Sequence, residues 1–438
     1  MLVGVQFWGG REDFETAVAR LRSVMARGEA GEVTREPHAG TEISRGPVGK
    51  GEMLCWAAKG RWGFLSTERE AVAGALDLLM GGGETLASAE DYARVQQRLP
   101  SEPDFIAFAR PGPALDLVLQ AGAQFGFTPD ETQADQLRKA QAAGFGLKMD
   151  GADLREAAFV LRPDPPEMGA LRHVGMPLTN AQTLAYFDFL LRPKELAALV
   201  RRTPAAAALE SDGTDLLQAV PTALGGEGAV LASWPADAIR PRALLTLGVK
   251  DRAATDALLL RAATLLPEVE ITEENGIKFF GFPSLRSPFL DPAVALSDSL
   301  LVAAADTEDI RATLAAAGTT ATLEAAPSFA TAIGEFRSAN EGFGFLDTRG
   351  IFERAYPMLR QVIIFGAAFA PGMAEVVDAS KLPQTETISK HLNPIVFSQT
   401  RLPEGYLLES RGPLTMLQVA LLAGGGGSAF LGPRGLNR

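Results

Sequence analysis

Apolar and polar positions alternate over Leu2-Val3-Gly4-Val5-Gln6-Phe7, which predicts a strand at the start of the chain. The period then lengthens, and Phe14, Val18, Leu21, Val24 and Met25 recur at helical spacing. An extended stretch with a turn at Ala39-Gly40 follows. Next comes the apolar strand Trp62-Gly63-Phe64-Leu65, which ends at Ser66-Thr67-Glu68 and passes into a helical segment. The same succession returns about 240 positions later, the mark of an internal repeat. A strand over 243–249 leads to helically spaced Leu258, Leu259, Ala262, Leu265 and Leu266, then to Asn275-Gly276, a tight-turn pair. Val302-Ala303-Ala304-Ala305 then runs into Asp306-Thr307-Glu308. In both copies a Ser or Asp can accept hydrogen bonds from the free N–H groups of a helix start, and Glu68 or Glu308 suits its positive end. Downstream, the segment 81–86 matches 318–323, Tyr92 matches Phe329, and Phe108 matches Phe345.

The repeated unit reads strand, helix, strand, strand, helix, helix, strand. This predicts an α+β fold made of a duplicated mixed α/β unit, with antiparallel or mixed sheets and helices on one face. A ferredoxin-like arrangement is the expected topology. Between the copies, Pro129-Asp130-Glu131 opens a helix expected to run to Ala143. Phe145-Gly146-Leu147-Lys148-Met149 and residues 154–162 flank the hairpin signal Asp150-Gly151. Pro163-Asp164-Pro165-Pro166 is the internal boundary, followed by a strand in 178–191 and a helix in 193–200. Four regions result: 1–162, the first repeat with its trailing helix and hairpin; 163–240, a connecting module; 241–378, the second repeat; and 379–438, a partial module with an apolar tail. The alternation of modules and the opening strand give the expectation of a chain that begins mid-domain, cut from a longer array.

At 438 residues the chain exceeds one ordinary hydrophobic core. With 47% hydrophobic and 21% charged residues it is a folded protein. The net charge of −12 argues against a nucleic-acid surface, which needs a concentrated basic face. Cys55, the single cysteine, excludes an internal disulfide and a cysteine-based zinc site, and its run Met53-Leu54-Cys55-Trp56-Ala57 makes it a buried small hydrophobe. The N-terminus carries no signal-peptide pattern, because charge enters at Arg11 before any long apolar region.

The strand-Thr-Glu-helix segments at 62–79 and 300–314, each followed by a small-residue turn, an aromatic helix and an aromatic strand, resemble a bacterial family, domain of unknown function 3352. The segment 183–203, with Leu184-Ala185-Tyr186 and Lys194-Glu195-Leu196, is similar to that family's module start. The resemblance covers most of the chain. It implies a protein of the bacterial envelope or periplasm, and it supplies no reaction and no functional residue. The absence of the signal seen in members keeps a cytoplasmic place open.

Chemistry-bearing residues are sparse. His38, His173 and His391 lie far apart, with no metal-ligand spacing, and each reads as a surface or structural histidine. His391 is the one to choose for a polar site, with Ser389, Asn393 and Ser398 around it. Gly81-Gly82-Gly83 follows a helix and reads as its C-cap, since a phosphate loop needs strand, glycines, Lys and then helix. No nucleophile elbow is present. Residues 414–431 carry no charge, but Gly424 to Gly427 interrupt a helix there, so a buried end or a sticky segment is expected ahead of a membrane anchor. Val362-Ile363-Ile364-Phe365-Gly366-Ala367-Ala368-Phe369-Ala370 reads as a core helix stopped by Pro371. No catalytic residue is assigned, and no cofactor or metal is expected. The expected function is a non-enzymatic scaffold or binding protein whose partner is a protein, lipid or polysaccharide of the envelope. The rivals are a hydrolase with a carboxylate site between the repeats and a carrier of an apolar ligand.

Overall fold

The computed structural model describes residues 2–7, 9–26, 31–49, 52–112, 138–165, 169–191, 218–235, 238, 240–266, 268–288, 290–333, 336, 339–369 and 381–415, the side chains of 366–369 excepted. It is an α+β protein with antiparallel sheets. Two compact units meet between Ala93 and Arg94, inside the region that the sequence reading assigned whole to the first repeat.

The first unit opens with β1 (Leu2–Gln6) and α1 (Arg11–Ala26), followed by four strands in a meander. These are β2 (Thr34–His38), β3 (Thr41–Gly49), β4 (Glu52–Lys59) and β5 (Trp62–Ser66), after which comes α2 (Arg69–Leu79). The sheet order is β1-β5-β4-β3-β2, every pair antiparallel. This corrects the sequence reading twice. Four strands follow the first helix where two were expected, and the sheet is a meander closed by β1 on β5, without the split βαβ strand order of a ferredoxin-like arrangement. Helices also cover both faces. Leu54, Trp56 and Ala58 of β4 pack with Phe14 and Val18 of α1, while Cys55 and Ala57 pack with Val72, Ala73 and Leu76 of α2. Successive strand residues point to opposite faces, so an unbroken apolar run is what a strand buried on both sides requires.

The second unit begins in α3 (Glu90–Gln96), which spans the boundary, and continues with β6 (Phe105–Ala109), β7 (Ala142–Asp150), β8 (Asp153–Leu161), β9 (Thr183–Leu190) and β10 (Leu224–Ser233). Then come β11 (Arg242–Val249), α4 (Arg252–Thr264), β12 (Glu270–Glu274), β13 (Ile277–Gly281), β14 (Ala293–Leu296), β15 (Leu300–Ala304) and α5 (Thr307–Ala316). The chain ends, among the described residues, with α6 (Pro327–Ile333), β16 (Gly342–Leu346), α7 (Thr348–Phe369), β17 (Ile395–Leu402) and β18 (Gly405–Gly412), a short helix over Thr385–Ser389 lying between the last helix and strand pair. All thirteen strands form one antiparallel sheet, ordered β12-β13-β14-β15-β11-β10-β9-β16-β17-β18-β8-β7-β6.

The duplication is visible residue by residue. The order β11-β15-β14-β13-β12 repeats β1-β5-β4-β3-β2, and the pair Gly4↔Phe64 becomes Leu244↔Ala304. Ala39 and Gly40 turn β2 into β3 with both φ positive, and Asn275 and Gly276 do the same between β12 and β13. Ser66 Oγ accepts the N–H of Glu68, and the Asp306 carboxylate accepts that of Glu308, each at 3.0 Å. A 3-10 turn at Leu86–Ser88, α3 and β6 recur at Leu323–Ala325, α6 and β16 without a gap. The hairpin belongs to the repeat as well, since Leu147↔Glu156 in β7–β8 becomes Gln399↔Leu408 in β17–β18.

The copies join through β8 and β18, where Ala157 pairs with Glu409, its own counterpart. A position that pairs with its counterpart marks a local two-fold axis, the self-complementary geometry of a C2 interface. The main core lies on the second copy, where Phe329 meets Phe343 and Phe345 edge-on at 5.8 and 5.1 Å.

One helix departs from expectation. Residues 362–369 are helical, but Val362 and Phe365 are 64% and 62% exposed, not core. An apolar run states a need for cover without naming the surface that gives it, and α7 is anchored upstream, where the buried Tyr356 donates to Pro383 O at 2.9 Å. Among the described residues no helix is long and apolar enough to cross a membrane. The expected helix at 193–200 and the tail beyond residue 415 lie outside the described residues, as does most of the helix expected at 129–143, and Ala142 already belongs to β7.

Candidate functional site

The β8–β18 joint sets Asp153, at the start of one strand, close to Arg411 near the end of its neighbour. Arg411 Nε lies 3.3 Å from Asp153 Oδ2, and its Nη2 lies 3.7 Å from Asp150. Asn393, just before β17, donates from Nδ2 to Asp153 Oδ1 at 2.9 Å. Asp153 is thereby neutralised and held although its side chain is only 10% exposed. Together with Pro394 and Val396, and with Pro327, Ser328, Thr331 and Ala332 of α6, these residues line a cleft of about 440 Å³. The first copy contributes Asp153 and the second copy everything else.

Apolar and polar residues divide the lining of this cleft. Its walls are mainly apolar, and its polar end is a guanidinium braced by two carboxylates. A glycosidase needs two carboxyl groups facing each other across the scissile bond, whereas the one acid that lines this cleft is already committed to Arg411 and Asn393. Among the described residues no group of three or more His, Cys, Asp and Glu side chains is placed to hold a metal ion.

A second polar cluster lies deeper, on β9 and β10. Asp188, with no exposed side-chain surface, accepts from the hydroxyl of buried Tyr186 at 3.0 Å and pairs with Nδ1 of His173. Glu227, also buried, accepts the backbone N–H groups of Arg172 and Val174 at 2.9 and 3.0 Å, one on either side of His173. The bond to Asp188 lifts the His173 pKa above its ordinary value against an opposing effect of burial, and the charges of Asp188 and Glu227 add to the rise. Burial first, then Asp188, drives the Tyr186 phenol up. His173 has φ of +56°, and its ring meets Phe343 edge-on at 6.4 Å. A His–carboxylate pair can serve acid–base chemistry. Here both carboxylates tie the segment around residue 173 onto the sheet, which is the work of a clamp.

The sequence-level candidates separate in space. His391 is exposed at the end of a helical turn, its N–H bonded to Ile388 O at 3.0 Å. Ser389 is buried and, after Arg349, helps hold the Glu353 carboxyl below its usual range. Ser398 is buried within β17. Only Asn393 of that group enters the cleft. His38 pairs with Asp77 at 2.8 Å on the first unit. Cys55 is 1% exposed, and burial pushes its thiol up, away from nucleophile chemistry. Gly81 and Gly83 have positive φ and follow α2 as a C-cap, Gly82 donating to Asp77 O. The pairing of Asp153 with Arg411 was not legible locally, because the two lie 258 positions apart, nor was the anchoring of the segment around His173 by Glu227, 53 positions from Val174.

No family model matches this chain, and no curated protein matches it. One solved structure, described as "Structure of crystal form I of TP0453", is similar at 10% identity with a TM-score of 0.28, over 53% of this chain and 75% of that one. At that level of superposition nothing is carried across from it.

Proposed function

We propose that this protein is a non-enzymatic, envelope-associated scaffold or binding protein of the kind that its resemblance to domain of unknown function 3352 implies. The observation that carries the reading is the cleft at the repeat joint. It is built by both copies, mainly apolar, and its single lining acid is compensated by Arg411 and Asn393. Pockets of this kind hold a ligand by apolar contact and orient it with a few polar groups. The ligand class that fits has an apolar body and an acceptor group for the guanidinium, a description met by a protein segment or a lipid better than by a polysaccharide. A net charge of −12 speaks against nucleic acid.

A photo-crosslinking residue in place of Ser328, in the full chain expressed in its native cells, tests this. The expected result is a discrete adduct in the envelope fraction, reduced at least about fivefold by Arg411→Met, the size of effect for a lost charge-assisted contact. Recovery of the chain wholly from the cytoplasmic fraction, or the same adducts from a probe at exposed Glu273 of β12, would overturn it.

A further inference from the structure

The two sheets have four outer strands, and they are not alike. β2 carries Arg35, Glu36 and Pro37, and β12 carries Glu270, Glu273 and Glu274. Charges and proline are what protect an edge from pairing with another chain. The remaining edges are bare among the described residues: β1 is Leu-Val-Gly-Val-Gln and β6 is Phe-Ile-Ala-Phe-Ala. Leu2, Val3 and Val5 are exposed on β1, and Phe105 is 55% exposed on β6.

The repeat explains which edges are bare. The counterpart of β1 is β11, which has β10 on its outer side; the counterpart of β6 is β16, which has β9. Both unguarded edges are therefore strands whose duplicates lie inside a sheet. The β16–β9 ladder also gives the register. Leu190 N–H donates to Glu341 O at 2.9 Å and Asp347 N–H to Leu184 O at 2.7 Å, so Phe343, between them in the same phase, turns its backbone groups to β9. Its counterpart on β6 is Ile106. Phe343 is 2% exposed under that cover, and Ile106 is 38% exposed without it.

We propose that the bare edges are strand-docking sites for a partner polypeptide, with β6 taking one antiparallel strand in the register in which β16 takes β9. β1 is the corresponding acceptor on the first unit, for the counterpart of β10. This names the partner class of the binding function proposed above and rests on that reading. Main-chain hydrogen bonds supply the affinity of such strand addition, and side chains at alternate positions supply its specificity. One specificity element can be read off. The Phe187 ring of β9 lies where a Cβ on Gly344 would come within 2.5 Å of it, and β6 has Ala107 at that position. The docked strand therefore carries a small residue opposite Ala107.

The probe is a peptide of residues 183–190 with Phe187→Ala and Asp188→Val, extended by two lysines at each end, added to the full chain. Hydrogen exchange within 105–109 is expected to slow at least about tenfold at saturation, as paired amides do. The peptide with Phe187 retained is expected to bind at least about fivefold more weakly, the order of a single overpacked contact. Ile106→Pro removes the outward N–H and Ile106→Lys guards the edge; either is expected to abolish protection, the lysine variant covering the case in which proline disturbs the strand. Unchanged exchange in 105–109 would overturn the proposal, as would protection that survives in both variants. A mass that doubles with protein concentration, with β6 protected in the absence of peptide, would replace the partner strand by a second copy of the chain. The Ser328 adduct reports on the cleft independently, so loss of that signal and loss of strand docking are separate results.

Discussion

Gly405→Ala is expected to destabilise the second unit by about 3 kcal/mol or more, because overpacking against a backbone that cannot move lies at the costly end of core substitutions. A Cβ on Gly405 would stand 2.0 Å from the carbonyl oxygen of Val160 and 3.1 Å from the nitrogen of Arg162. Both atoms belong to the chain that pairs with β18, where Arg162 N–H also donates to Glu404 O at 2.8 Å. No side chain can rotate away to relieve the contact, so the strands must part. Denaturant unfolding followed by hydrogen exchange checks this. Exchange should accelerate in β8 and β18 and remain unchanged in β3 to β5 of the first unit. Gly74→Ala is the control: its Cβ would meet nothing within 4 Å in the middle of α2, and alanine should raise stability slightly.

His173→Gln is expected to cost about 2 kcal/mol near pH 6, with a pH signature. Removing the partner of a buried charge costs about 3–5 kcal/mol when the pair is dry, and the figure is reduced here because the imidazole is 42% exposed and screened. The folded pKa of His173 is raised above its unfolded value of about 6.5, chiefly by Asp188. A raised pKa means that the stabilisation is fully present below about pH 6.5 and is lost as pH rises through the folded value. Calorimetry across that window should show the wild-type chain losing stability on the alkaline side and the variant losing much less. Equal slopes would show that the ion pair to Asp188 does not operate in the folded protein.

The duplication was legible because capping and turn chemistry is local. Ser66-Thr67-Glu68 and Asp306-Thr307-Glu308 mark the same strand-to-helix passage, and Asn275-Gly276 declares its hairpin by backbone sterics alone. Two strands per copy were missed for a physical reason. Gly46, Pro47 and Gly49 punctuate β3 like a loop, yet the strand runs through them with an irregularity in its pairing to β4. β14 is four residues long and rich in alanine, too short for periodicity to reveal. The placement of helices on both faces did have a signal. The unbroken apolar run from Met53 to Ala58 fits a strand covered on both sides, whereas one-sided cover would have produced alternation. The cleft had none, since Asp153 and Arg411 are neighbours only through the β8–β18 pairing. The apolar stretch of α7 shows the converse limit: its hydrophobicity is plain in sequence, and its exposure is not.

The β8–β18 joint is the feature on which the two-fold relation, the cleft and its proposed use all depend. Residues 157 and 409 occupy a pair without mutual hydrogen bonds, since Arg162–Glu404 fixes the phase of the ladder, and such pairs bring Cα atoms to about 4.5 Å, within the range of a disulfide. The full chain carrying Ala157→Cys and Glu409→Cys, with Cys55 buried and unreactive, should close a disulfide under mild oxidation. Cysteines at 157 and 407, displaced by two residues along β18, should remain reduced. A bond at 157–407, or none at 157–409, would contradict the joint and the site built on it.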